Sequence, residues 1–429
     1  MEALIIFVVF FIAVFLSIPI GIAMGLAVIV YIFVQGTIDF NYIVSGMFTA
    51  TDSFPLMAIP FFILSGALME GGGLSKRLVN FFDSLVGHFT GGLAIVTVVT
   101  CMFFGAISGS APATVAAVGT IMVPTMVEKG YDKRFSIALI AASGCLGTII
   151  PPSIPMVMYG VATGASISTM FSAGIIPGVV CGLMLIVLSV FVCKKKGFVG
   201  NGQKFSFKRV FLELKDAIWA IFVPVIILGG IYGGFFTPTE AAVVATVYSL
   251  IVGIFVYKEL KLKTIFERFA SSANTTGTIL IIVGVGTILG RVLTLEGVPT
   301  LIADGMLGFS TNKWVLLLLV NILLLICGCV LETTSAILIL SPILYPVMQA
   351  VGVDIVHFGI MMVVNLSIGF ITPPVGVNLF VACGIGNIKF EELVKRIIPF
   401  LLALLVGLLL VVVFPNISLL IPRMSGYGG

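Results

Sequence analysis

The chain has 429 residues, of which 60% are hydrophobic and 9% charged, with a formal net charge of +4. That composition lies outside the range of soluble globular domains. Apolar runs repeatedly reach the ~20 residues needed to cross a bilayer as helix, so the sequence reads as an all-α polytopic membrane protein.

The opening run from Ala3 to Val34 has no basic leader and no small-residue cleavage site, and Pro19 splits it into passes near 3–17 and 19–34. A third pass is expected near 54–70, with Asp52 as a structural cap before it and an amphipathic stretch, Gly73 to Asp83, after it. Next come a re-entrant hairpin at 93–127 and a helix at 135–165 broken by Pro151-Pro152. A pass at 174–193 closes the half. The basic run from Lys194 to Lys215 suits a cytoplasmic anchor beside lipid headgroups better than a nucleic-acid surface. The order then recurs: passes near 218–234, 238–257 and 271–290, amphipathic residues 297–304, a hairpin at 314–350, a helix at 356–386 broken by Pro373-Pro374, and a pass at 397–415. Thr237 to Glu240 reads as a helix cap at the start of the eighth pass.

The recurrence holds residue by residue at an offset of 222. Of six prolines between residues 100 and 190, four land on another proline (Pro124 on Pro346, Pro151 on Pro373, Pro152 on Pro374, Pro177 on Pro399), against about 0.3 expected by chance from the composition. Asp132 falls on Asp354 and Gly147 on Gly369. The fold expected is therefore two inverted-topology repeats, about 11 transmembrane helices plus two re-entrant hairpins. The first repeat spans 1–193, a basic cytoplasmic linker 194–217, and the second repeat 218–429. In this layout only Arg291, Lys313 and Arg423 of the 22 Lys and Arg lie outside, as the positive-inside rule asks, and both termini face outward.

Non-helical backbone survives at membrane depth only where protein or a water-filled cavity supplies partners. Each proline pair removes two donors and frees carbonyls one turn upstream, which are suitable ligands for a hard cation. The first hairpin tip, Ile107 to Thr114, offers hydroxyls at a glycine- and proline-enforced turn; its counterpart, Cys329 to Ser335, carries Glu332 where the first tip has Ser110. A carboxylate at that depth is either functional or a cap on the second hairpin arm. Helix N-termini at the tips and at the restarted broken helices face an anion favourably, and Asn378 adds an amide. Residues expected to touch substrate are Ser110, Ala111, Pro112, Ser153, Thr334, Ser335, Gly376 and Asn378. The seven cysteines lack metal-ligand spacing and read as packing residues, and His88 and His357 as surface or interface positions. No nucleotide-phosphate, zinc-protease or serine-hydrolase motif is present, so the chain is not expected to be an enzyme or to need a cofactor.

At Met57 to Gly66, Gly105 to Thr114, Gly144 to Ile154, Gly234 to Ala241 and Ile371 to Asn378, in that order and spacing, the chain resembles the large membrane subunit of tripartite ATP-independent periplasmic (TRAP) transporters, nearly end to end. The resemblance implies a sodium-coupled secondary transporter of the bacterial inner membrane. Such a carrier takes an organic acid, of the sialic acid or C4-dicarboxylate class, from a soluble periplasmic binding protein. It implies a small four-helix membrane partner, expected here as a separate chain, and an elevator motion. The scaffold would be about 1–92 and 218–313, and the transport domain about 93–193 and 314–415. Sodium sites carried onto this chain are Ser108, Gly109 and Ser110 with Gly147, Thr148 and Pro151, and Glu332, Thr333 and Thr334 with Gly369, Thr372 and Pro373. Three other readings stay open at this point. One is a carrier of similar architecture without a binding protein. Another is a channel, which re-entrant loops also build. The third, an intramembrane enzyme, lacks a base or metal cluster.

Overall fold

The structure is a computed structural model that describes residues 2–16, 18–36, 39–198, 200, 202 and 204–428, without the side chains of Glu2, Ala3, Phe40 and Tyr42. Ser17, at the expected end of the first pass, and Val199, Asn201 and Gln203 of the expected linker lie outside the described residues.

The first repeat comprises α1 (Glu2–Phe15), α2 (Ile20–Gln35), α3 (Phe40–Thr51), α4 (Ala58–Gly71, entered through a 3-10 turn at Phe54–Met57), α5 (Leu74–Val86), α6 (Gly92–Ser108), α7 (Ala111–Glu128), α8 (Lys133–Gly144), α9 (Leu146–Ile149), α10 (Ile154–Thr163) and α11 (Ile167–Lys196). The second comprises α12 (Phe207–Tyr232), α13 (Pro238–Ile251, prolonged by a π turn at Val252–Val256), α14 (Leu262–Leu295), α15 (Val298–Phe309), α16 (Lys313–Val330), α17 (Thr333–Ala350), α18 (Ile355–Gly369), α19 (Val377–Gly386), α20 (Phe390–Val413) and α21 (Asn416–Met424). Among the described residues there is no strand.

The offset of 222 survives as geometry. It carries α7 onto α17 at both ends, and the starts of α6, α8, α10 and α11 onto those of α16, α18, α19 and α20 to within one residue. Matching caps set the register: Asp132 accepts from the Phe135 amide at 2.8 Å, and Asp354 from those of Val356 and His357 at 2.8 and 3.1 Å. The repeats are inverted. Arg134, at the start of α8, pairs with Glu392 beyond the end of α19 at 2.7 Å. At the other end the Tyr159 hydroxyl on α10 donates to the carbonyl of Ile355, the first residue of α18, at 2.8 Å. The two broken helices therefore run antiparallel through the centre, where the α8–α10 stretch is almost wholly buried.

Several bounds differ from those read in the sequence. Among the described residues ten stretches are long and apolar enough to cross a bilayer, and three of these are the hairpin arms α7, α16 and α17. The helices α1 and α2 have 14 and 16 residues, about 21 and 24 Å at 1.5 Å per residue against a core of ~30 Å. They pack on each other as a hairpin after Pro19, which returns the chain to the side it left just as two full passes would. Most of the basic linker is helical, because α11 runs to Lys196 and α12 begins at Phe207. The repeat also breaks symmetry ahead of the hairpins. Where the first half has α3, an interruption at Asp52 to Pro55 and α4, the second has α14 as a single helix of 34 residues. Pro55 cannot donate inside a helix, and the matching stretch of α14 holds no proline. Asp52 consequently ends α3 as its C-cap, whereas the cap expected within Thr237 to Glu240 is present, with Thr237 as N-cap and Glu240 closing a capping box.

Candidate functional site

At the first tip α6 ends on Gly109, whose φ of +60° is left-handed and whose N–H reaches the Gly105 carbonyl at 3.0 Å. Its own carbonyl accepts from the Ile154 amide at 3.4 Å, tying the tip to the restart of the broken helix. The Ser110 carbonyl accepts from the Thr114 amide and hydroxyl at 3.1 and 2.8 Å, and the Ser108 and Thr114 hydroxyls lie 3.1 Å apart. Two glycines let the hairpin touch the broken helix. A Cβ on Gly147 would lie 2.6 Å from the Ser110 oxygen, and one on Gly105 2.6 Å from the Gly147 Cα. The Pro151-Pro152 bond is cis, and Ser153 restarts the helix, accepting from the Met156 amide at 3.4 Å and donating to the Thr148 carbonyl at 2.5 Å.

The second tip repeats this plan with different caps. Glu332 is the N-cap of α17: its Oε2 accepts from the amides of Thr334 and Ser335 at 3.1 and 3.3 Å and from the Thr334 hydroxyl. Of the two readings of this carboxylate, the structure displays the cap. A Cβ on Gly369 would lie 2.7 Å from the Gly328 Cα, so hairpin and broken helix again meet glycine on glycine. The Pro373-Pro374 bond is also cis, the Thr372 hydroxyl donates to the Ile368 carbonyl at 2.8 Å, and α19 restarts behind Gly376 with φ +58°.

The tips share a cavity of about 570 Å³. Of the expected site residues, Ser108, Gly109, Ser110, Pro112, Thr148, Glu332 and Thr334 line it. Gly147, Ala111, Pro151, Ser153, Thr333, Ser335, Gly369, Thr372, Pro373 and Gly376 are outside the lining. Asn378 is fully buried and outside the lining: its amide nitrogen donates to the Ala141 carbonyl at 3.1 Å and lies 3.6 Å from the Cys145 sulfur, joining α19 to α8, while its Oδ1 has no hydrogen-bond partner. His357, expected at a surface or interface, is buried with its Nδ1 2.8 Å from the Ser418 hydroxyl, because α21 folds back over α18.

Sequence reasoning missed the opposite wall. There α4 contributes Gly66 and Glu70, and α14 contributes Arg268, Ser271, Ser272, Asn274, Thr275 and Thr278. The signal was available in the polar run Ser271 to Thr278 within an apolar pass. Small residues let the walls approach: a Cβ on Gly66 would lie 3.0 Å from the Ser108 Cα.

Two antiparallel repeats, each setting a hairpin tip on a broken helix beside one cavity, define the core of a multi-pass membrane transporter. Residues 7–417 match the tripartite ATP-independent periplasmic transporter family, DctM component, and the chain belongs to that family. It is 50% identical over 383 residues to the isethionate TRAP transporter permease protein DctMQ of Oleidesulfovibrio alaskensis, covering 89% of this chain and 60% of that protein. It is 41% identical to the sialic acid TRAP transporter large permease protein SiaM of Vibrio cholerae, covering 93% and 94%. With the C4-dicarboxylate TRAP transporter large permease protein DctM of Pseudomonas aeruginosa it shares 43%, covering 89% of each. In fold it is similar to the Alcanivorax borkumensis YdaH transporter, with a TM-score of 0.63 at 17% identity over 88% of each chain.

Proposed function

We propose that this chain carries a small organic acid across the bacterial inner membrane, driven by sodium, as the large subunit of a tripartite carrier. The observation that carries this reading is the single cavity on which the tips of both inverted hairpins converge. Its lining holds the carboxyl groups of Glu70 and Glu332 and the guanidinium of Arg268. An organic anion entering that lining needs more positive charge than its side chains provide, and cations held behind the tips supply it. The candidate cages are the carbonyls and hydroxyls of Ser108 to Ser110 with Gly147, Thr148 and Pro151, and those of Glu332 to Thr334 with Gly369, Thr372 and Pro373. Oxygen-only ligands of this kind suit a hard cation.

The relatives' names point to substrates bearing a carboxylate or a sulfonate: sialic acid, C4-dicarboxylates and isethionate. The partners proposed are a small four-helix membrane subunit and a periplasmic binding protein, with both termini on the periplasmic side. For the motion we infer an elevator in which residues of about 93–193 and 314–415 slide against about 1–92 and 218–313. Bond placement supports that division. Arg77 with Glu259, Arg268 with Glu70, Ser65 with Ser249 and Thr246 with the Phe61 carbonyl join elements of the second group, whereas Arg134 with Glu392, Thr148 with Ser367 and Asn378 with the Ala141 carbonyl join elements of the first.

The test is uptake of labelled isethionate, N-acetylneuraminate and succinate into proteoliposomes holding both membrane subunits. The binding protein is added or withheld, under a sodium or a potassium gradient. Saturable uptake of one acid that needs both sodium and the binding protein is expected. Uptake indifferent to the binding protein overturns the tripartite reading, and uptake under potassium alone overturns sodium coupling.

A further inference from the structure

The α14 wall of the cavity carries a guanidinium to which no ligand has been assigned. Arg268, in the second turn of α14, is joined to Glu70 near the end of α4 through Nη1 and Oε2 at 3.1 Å, and both side chains are about one-third exposed, at 32% and 34%. Gly71 makes room for this arginine: a Cβ there would lie 3.2 Å from its Nε. Among the described residues that line the cavity, Arg268 is the one cation. From it Ser271, Thr275 and Thr278 climb a single face of α14 toward the hairpin tips, spaced three and four residues apart, and all three line the cavity. Thr275 and Thr278 donate to the Ser271 and Asn274 carbonyls at 3.1 Å each, bonds that a hydroxyl exchanges by rotation for one to a passing anion. The stripe connects the tips to the guanidinium.

We propose that Arg268 is an anion-binding residue on the α14 wall. A carboxylate or sulfonate leaving the tips passes along the hydroxyl stripe and takes the place of Glu70 on the guanidinium; Glu70 then recovers its partner and frees the anion. This rests on the reading of the chain as an organic-anion carrier. The planar fork of arginine suits both anion types. A part-exposed ion pair is weak and exchanges readily. The inference assigns the two members of the pair opposite effects, which a purely structural salt bridge does not have.

The experiment uses the complete complex in proteoliposomes, with binding protein outside only, so that one orientation works. Vesicles are preloaded with isethionate, N-acetylneuraminate or succinate, whichever the wild type carries, and the internal concentration that halves initial uptake is read. Arg268→Gln is expected to raise it about tenfold, the scale of one lost charge-assisted bond. Glu70→Gln, which removes the competitor, is expected to lower it. Arg268→Lys should fall between wild type and Arg268→Gln, with any shift in external half-saturation smaller than the internal one in all three. Since both Gln variants remove the same ion pair, any shared folding defect acts on both alike. Shifts in the same direction, no shift, or an equal shift in external half-saturation overturn the proposal while leaving the carrier reading intact. A wild type that carries none of the three acids overturns that reading, and the proposal with it.

Discussion

Thr148 and Ser367, 219 residues apart in sequence, hold their hydroxyls 2.8 Å from each other where the two broken helices cross. Each also reaches a carbonyl of its own helix, Thr148 that of Cys145 at 3.0 Å and Ser367 that of Val363 at 2.6 Å. Two hydroxyl protons serve three contacts. When each proton goes to its own carbonyl, the two oxygens turn lone pairs toward one another, which favours a cation close by. Thr148→Ala and Ser367→Ala are each expected to raise the sodium concentration for half-maximal uptake severalfold. The double variant should fall short of the sum, with a coupling of about 0.5–1.5 kcal/mol. Sodium titration of initial rates checks this, and strict additivity contradicts it.

Glu332 separates capping from ion binding. A short neutral cap such as asparagine serves an N-cap as well as a carboxylate does, so Glu332→Asn should transport within a few-fold of wild type. Glu332→Ala leaves the amides of Thr334 and Ser335 without their acceptor, and the complex should lose about 1 kcal/mol of stability. A sodium requirement displaced tenfold or more in the asparagine variant would show that the charge itself binds the ion.

Glycine at the crossings is a requirement of distance. Gly147→Ala drives a methyl into the Ser110 carbonyl, with an expected cost of about 1–3 kcal/mol and loss of uptake. Gly277, inside α14, has nothing within 4 Å of its would-be Cβ. Gly277→Ala should therefore be neutral or stabilising by about 0.4–1 kcal/mol. Thermal unfolding of the two variants in detergent gives the comparison, and equal midpoints would refute it.

The C-terminal segment predicts a pH effect. The Tyr427 hydroxyl donates to Asp354 Oδ2 at 3.0 Å while Asp354 Oδ1 caps α18. Burial, and then the neighbouring carboxylate, push the phenol up from 10.0 to about 12. Because the folded value is the higher one, the stabilisation is complete below pH 10 and is lost as pH rises through 12. Tyr427→Phe should lower the unfolding midpoint at pH 8 and flatten its decline above pH 10. A variant as pH-sensitive as the wild type would be evidence against the contact.

What the sequence disclosed followed from how locally each feature is encoded. Pro151 and Pro152 remove two adjacent backbone donors, and their recurrence at Pro373 and Pro374 needed only counting, so both breaks and both tips were legible. The surroundings of Asn378 were not legible because its neighbour is 237 residues away: nothing near position 378 shows that its amide nitrogen donates to the Ala141 carbonyl. The α14 wall was overlooked for the opposite reason. Its serines and threonines are plain in the sequence, but hydroxyls in a membrane helix commonly bond back to their own turn, as Thr275 does to the Ser271 carbonyl at 3.1 Å. Only the packing of α4 and α14 beside the tips turns that face into a cavity wall. The lengths of α1 and α2 were hidden by the nearly continuous apolar run from Ala3 to Val34, which leaves no periodic signal to mark where a helix ends.

The correspondence of α7 with α17, end to end at one constant offset, has an implication for ancestry and insertion. A chain of half this length, threaded into the bilayer in both senses and pairing with its own upside-down copy, would assemble the same crossing of broken helices. With both copies in one chain, neither has to serve both roles: one tip carries Glu332 where the other has Ser110, and one flank is the unbroken α14.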